Sequence, residues 1–206
     1  MSRPLFLTPL RLEARAVRRG APEAEIVQIG MGPVRATAAR ARVTAAHEAG
    51  RPILLLGFGG ALASSLAPGD LVVATSLGSI DTDERVELPA GEEAAATLEA
   101  AGISARLAPI VSSAVLVRGL EARQRAAASG AAVVDMESLW CAPLVRRHRF
   151  AVVRAVVDVP GAEVRSLATP AAAWRAYRSL ARAARALAEW SPSTVDERRL
   201  QEVGDT

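Results

Sequence analysis

Two stretches of the chain place carboxylates where apolar runs end. V-V-D-M-E-S at 133–138 offers Asp135 and Glu137 flanking Met136, and V-V-R-A-V-V-D at 152–158 closes on Asp158. An aspartate among apolar neighbours has its charged form disfavoured, so Asp158 could hold a proton near neutrality and act as a general acid. The structural alternative is a cap for the turn before Pro160. Asp135 and Glu137 likewise read as a helix cap and a first-turn acid, or as a grip on a polar substrate.

Two glycine groups also follow apolar runs: G-M-G-P at 30–33 and G-F-G-G at 57–60. Either could be a tight turn or a place where backbone approaches a ligand. Neither is a nucleotide fingerprint. The first lacks a third glycine, and the second has no Gly-Lys-Ser/Thr behind it.

Positioning these groups falls to alternating strands and helices. Apolar runs at 4–8, 25–29, 52–56, 70–75, 106–111, 131–134 and 150–157 predict strands, most of them continuous as in strands covered on both faces. Segments 34–49, 92–101, 120–129, 137–147 and 170–190 predict helices. The pattern implies an α/β protein, a three-layer α/β/α sandwich in one domain over 1–190 with a polar tail at 191–206. In open α/β sheets the ligand lies beyond the carboxyl ends of the strands, where the acids and glycines fall.

Composition narrows the function. Cys141 is the only cysteine and the two histidines, His47 and His148, are far apart, so no metal site or disulfide framework is expected. All 25 basic residues are arginine and the net charge is only +3. With 3% aromatic residues, a nucleic-acid partner is not expected. Neither a membrane span nor a signal segment is read from the sequence, which predicts a cytoplasmic protein.

Taken in order, Q-I-G-M-G-P-V-R-A at 28–36, L-G-F-G-G-A-L-A-S-S-L-A-P-G-D-L-V-V-A at 56–74, V-V-D-M-E-S and V-V-R-A-V-V-D resemble the purine nucleoside phosphorylase and methylthioadenosine/S-adenosylhomocysteine nucleosidase superfamily. Within it they are most similar to the hopanoid-associated branch, whose members are thought to release adenine from adenosylhopane. The resemblance implies a nucleoside phosphorylase-like fold with a central mixed sheet and cleavage of an N-glycosidic bond without a cofactor, phosphate being a possible co-substrate. It assigns proton donation to purine N7 to Asp158, ribose binding to Glu137 with Met136 against the sugar, and base contacts to Leu116 and the backbone of Val117. A carboxylate suits a vicinal diol because each oxygen accepts one O–H.

For the nucleophile, T-P-L-R-L-E at 8–13 leaves two alignments open. Glu13 matches a glutamate that deprotonates water; Arg11 matches an arginine that holds phosphate. Gly32, Gly57, Phe58 and Gly59 belong to the same nucleophile or phosphate region. Leu55 and Phe58 stand where phosphorylases place polar phosphate ligands, which favours hydrolysis. Val157 replaces a serine common beside the catalytic aspartate, and Leu116 a base-stacking phenylalanine.

The same resemblance leaves methylthioadenosine/S-adenosylhomocysteine nucleosidase and futalosine hydrolase as alternatives, and a non-catalytic nucleoside- or lipid-binding protein as a further one. It implies a homo-oligomer. The helix at 170–190, with Trp174, Tyr177 and many arginines, is expected to pack conventionally or to touch the inner membrane surface transiently.

Overall fold

A computed structural model describes residues 2–145, 147–159 and 170–193. Eight strands and seven α-helices alternate along it: β1 (Leu5–Thr8), α1 (Arg11–Gly20), β2 (Glu25–Gln28), α2 (Pro33–Ala38), α3 (Arg40–Glu48), β3 (Ile53–Ala61), β4 (Leu71–Ser79), β5 (Arg85–Glu87), α4 (Ala90–Ala100), β6 (Arg106–Ser112), α5 (Leu120–Ala127), β7 (Val133–Asp135), α6 (Ser138–Cys141), β8 (Phe150–Asp158) and α7 (Pro170–Ala186). The tail predicted at 191–206 lies outside the described residues from 194 onward.

The strands form one mixed sheet in the order β2-β1-β3-β7-β6-β4-β5, with β8 bridging β3 in parallel and β4 in antiparallel fashion. Because β3 also pairs β7 and β4 also pairs β6, the strands β3, β7, β6, β4 and β8 close into a ring. Alternate side chains divide between two cores. Ile53, Leu55, Phe150 and Val152 pack with α2, α3 and α6; Leu54, Leu56, Ala151 and Val153 pack with α1, α4 and α7. Both faces are covered, which accounts for the unbroken apolar runs.

Closure requires long strands that change partners along their length. β3 was expected to stop at residue 56, with G-F-G-G as the loop behind it; instead it runs through these glycines to Ala61, pairing β1 and β8 first and β7 last. None of Gly57, Gly59 and Gly60 has a positive φ. They are needed for room: a Cβ on Gly59 would lie 2.4 Å from the side chain of Val133. β4 likewise continues past the expected 75 to Ser79 and meets the unanticipated β5.

Two predicted helices are interrupted. The segment at 34–49 splits at Ala39 into α2 and α3, and that at 137–147 is helical only over Ser138–Cys141 before a 3₁₀ turn containing Pro143. Proline supplies no N–H to continue the ladder. α7 ends at Ala186, short of the expected 190.

Candidate active site

Arg154 sits in the middle of β8, fully buried, an arginine in a strand whose other members are Phe, Ala and Val until Asp158. A guanidinium removed from water demands anionic and hydrogen-bonding partners. It has them: Nε donates to Asp135 Oδ2 at 2.8 Å, and Nη2 donates to Ser138 Oγ at 2.9 Å and to Glu137 Oε2 at 3.3 Å. V-V-D-M-E-S is therefore folded around an arginine contributed from nineteen residues further along, as the separation of Asp135 and Arg154 shows.

Asp135 serves this scaffold. Its Oδ1 accepts from Ser112 Oγ at 2.5 Å and from the backbone N–H groups of Glu137 and Ser138, each at 3.2 Å, while Oδ2 accepts from Ser138 Oγ as well as Arg154. It thus ties β6, the turn and β8 together at the start of α6. Both Asp135 and Glu137 line the cavity, and Glu137 has one oxygen held by Arg154.

Glu13 reaches the same place from the first turn of α1. Its Oε2 accepts from Leu10 N–H at 2.5 Å and its Oε1 from Phe58 N–H at 2.7 Å, so one carboxylate clamps the β1–α1 turn to β3. Only 2% of the residue is exposed. Burial raises its pKa to about 7, against the pull of Arg154 and of the two N–H donors. Glu137 is shifted in the same direction, again by burial first, with Asp135 and Glu13 adding repulsion and Arg154 opposing. Gly57 makes this convergence possible: a Cβ there would stand 2.1 Å from Arg154 Nη1 and 3.0 Å from Glu13 Oε1.

Asp158 closes the cavity from the end of β8. The apolar surround expected for it is not what the structure shows. Arg123 of α5, buried at 4% exposure, donates Nη2 to Asp158 Oδ2 at 2.6 Å and Nη1 to the carbonyl of Ala61 at 3.0 Å. The environment is ionic, because α5 inserts a guanidinium that its own sequence, L-E-A-R-Q-R-A-A, does not distinguish from its exposed neighbour Arg125.

These groups share one cavity of about 290 Å³. Glu13, Glu137, Met136, Asp158, Arg123, Phe58, Gly59, Leu116 and Val117 all line it, and Leu10, Leu12, Met31 and Val157 add apolar wall. Of the remaining candidates, Gly57 lies behind the wall against Arg154 and Glu13. Gly32, with φ +84°, starts α2 and does not line the cavity. Arg11 is exposed at the first position of α1 and is also absent from the lining. Arg154 and Arg123 were missed from sequence. For Arg154 the signal was available, since an arginine inside V-V-R-A-V-V must be either exposed or paired; for Arg123 none was.

Cys141 is fully buried behind the turn, and burial pushes its thiol up to about 12, which leaves it inert. Among the described residues no helix is long and apolar enough to cross a membrane.

A closed mixed sheet between helical layers, with buried carboxylates at strand ends, defines a nucleosidase-like α/β architecture. The native futalosine hydrolase of Helicobacter pylori strain 26695 superposes with a TM-score of 0.76 at 16% identity, covering 89% of this chain and 96% of its own. The 5'-methylthioadenosine/S-adenosyl homocysteine nucleosidase of Campylobacter jejuni gives 0.76 at 14% identity, with 92% and 99% covered. That of Neisseria meningitidis in complex with methylthio-immucillin-A gives 0.70 at 18% identity, with 88% and 98% covered. No curated protein sequence matches the chain. Residues 17–190 match the phosphorylase superfamily, and the chain belongs to that family.

Proposed function

We propose that the protein hydrolyses the N-glycosidic bond of an adenine nucleoside carrying an apolar group on its ribose 5′ carbon, with adenosylhopane the favoured substrate. The observation that carries this reading is the convergence of Glu13, Glu137 and Asp158 on one cavity from β1–α1, β7–α6 and β8. In this reading Glu137 accepts the ribose 2′- and 3′-hydroxyls and Met136 packs on the sugar. Glu13 takes a proton from a water molecule as the water oxygen bonds C1′. The C1′–N9 bond breaks, and its electrons pass into the purine, which Asp158 protonates at N7. Products are free adenine and the 5′-substituted ribose.

Asp158, paired with Arg123 in the free protein, must leave that contact and take up a proton from solvent before it delivers one to N7, so base binding and acid catalysis are coupled. Water is favoured over phosphate because an incoming dianion would meet Glu13 and Glu137, while Nε and Nη2 of Arg154 are held by Asp135, Ser138 and Glu137 and Arg123 is held by Asp158. The apolar walls supplied by Leu10, Leu12, Met31 and Leu116 support an apolar 5′ group. The fold relatives favour methylthioadenosine or futalosine as second choices.

Incubation with adenosylhopane, methylthioadenosine, S-adenosylhomocysteine and futalosine, with and without phosphate, tests the reading through adenine or hypoxanthine release. Release from the apolar nucleosides independent of phosphate is expected. Strict dependence on phosphate, or no release from any of them, refutes it.

A further inference from the structure

α1 and α7 lie side by side and run in the same direction. Tyr177 Oη donates to the carbonyl of Arg15 at 3.4 Å, and further along a Cβ on Gly20 would stand 2.0 Å from the carbonyl of Ala181. Their first turns reach the cavity, since Leu10, Leu12 and Ala173 line it. Each helix exposes four arginines: Arg11, Arg15, Arg18 and Arg19 on α1, and Arg175, Arg178, Arg182 and Arg185 on α7. At 3.6 residues per turn, each set falls within an arc of about 100°. The only acid in either helix is Glu13, which is buried.

The two helices carry this charge against a net charge of only +3 for the chain: Asp81, Asp83, Glu84 and Glu87 gather around the β4–β5 hairpin, while Glu92, Glu93 and Glu99 lie on α4, which flanks α7 in the same helical layer. Large apolar side chains are exposed at the cavity end of the arginine face, with Trp174 at 54%, Leu12 at 43%, Met31 at 46% and Leu116 at 57%. Trp174 stacks on Tyr177 with ring centroids 5.5 Å apart, which holds the indole at the surface.

We infer that the α1–α7 face docks on an anionic lipid bilayer, with the arginines on headgroup phosphates and the cavity mouth turned towards the membrane. Guanidinium groups pair with phosphate oxygens in two-pronged fashion, and an exposed tryptophan beside them suits the interfacial zone. Docking in this orientation would give an apolar substrate a path from the bilayer into the cavity without crossing water. The inference stands on charge and exposure, independently of the reaction chemistry.

The test is flotation of the full chain with vesicles of phosphatidylcholine alone, or of phosphatidylcholine and phosphatidylglycerol in equal parts. Binding to the anionic vesicles that salt reverses is expected, with little to the neutral ones. Each arginine near the surface strengthens binding about fivefold. Arg178→Gln/Arg182→Gln/Arg185→Gln and Arg15→Gln/Arg18→Gln/Arg19→Gln should therefore each weaken it about a hundredfold, whereas Arg40→Gln/Arg42→Gln/Arg125→Gln, away from this face, should not. Trp174→Phe should abolish a blue shift of tryptophan emission on vesicle binding. Failure of the wild-type chain to float with anionic vesicles at low salt overturns the inference, as does equal loss in all three triple variants. Displacement from vesicles by an RNA oligonucleotide at matched phosphate concentration would assign the face to nucleic acid and equally overturn it. Vesicle binding needs no substrate, so an inactive enzyme that floats, or an active one that does not, separates this inference from the proposed reaction.

Discussion

Replacing Glu13 by glutamine isolates the titration of one buried carboxyl. Burial raises this group from 4.5 to about 7, which at about 1.4 kcal/mol per pK unit is ~3 kcal/mol of differential stability. Between those pH values the folded protein holds a proton that the unfolded chain has released, so stability falls as pH rises. The group's contribution is complete below pH 4.5 and is lost as pH climbs through 7. Glutamine has no such dependence. It also has one acceptor oxygen where the carboxylate serves two donors, Leu10 N–H and Phe58 N–H, so one of them loses its partner at a cost of about 1–3 kcal/mol at every pH.

Glu13→Gln should thus be less stable than wild type at about pH 4.5 and should recover about 3 kcal/mol relative to it at about pH 8. Removing the Glu13 anion also removes one cause of the upward shift of Glu137, which adds to the recovery. Urea unfolding of both proteins at the two pH values reads the difference directly. A Glu13→Gln penalty that is the same within about 1 kcal/mol at both ends would refute the claim that burial dominates this site. Under the proposed mechanism the same variant loses adenine release by at least about 100-fold, while the wild-type rate climbs through about pH 7 as the base ionises.

Arg154→Met should cost about 3–5 kcal/mol at pH 8, since Asp135 and Glu137 lose their buried counter-charge, and less at pH 5, where Glu137 can take up a proton; urea titrations at the two pH values check this. Gly57→Ala should destabilise by about 1–3 kcal/mol and abolish base release, because its Cβ would meet Arg154 Nη1 at 2.1 Å. Gly32→Ala, with nothing within 4 Å of its Cβ but a φ of +84°, should cost about 1–2 kcal/mol by thermal melting and leave the rate unchanged. Asp158→Asn should slow adenine release about 10²–10⁴-fold while a competitive nucleoside analogue still binds, as measured by calorimetry.

Strand positions were legible in the sequence because both faces of the sheet are covered, so burial leaves continuous apolar runs such as I-L-L-L and F-A-V-V. What local pattern could not convey was closure of the sheet. G-F-G-G reads as punctuation by propensity, yet these glycines lie in extended backbone and yield space to Val133 on β7, Arg154 on β8 and Glu13 on α1, contacts made across the fold. The acids at strand ends were visible for the same reason the strands were: a carboxylate after an apolar run stands out. Glu13 was not, since within R-L-E-A-R it resembles any surface helix acid, and only the resemblance to a family singled it out.

The two buried arginines divide these cases further. Arg154 interrupts an apolar strand, a position where charge is costly enough to signal a partner, and its partner is the acid-Met-Glu turn already noticed. Arg123 lies on an amphipathic helix among exposed polar neighbours, where charge costs nothing locally, and its contact with Asp158 depends on how α5 settles against Ala61. Asp158 lines the cavity, but its surroundings are ionic rather than the apolar ones its sequence neighbours suggest. Where a cavity joins side chains thirty-five positions apart, as Arg123 and Asp158 are, the sequence offers the candidate groups and tertiary packing decides what each one touches.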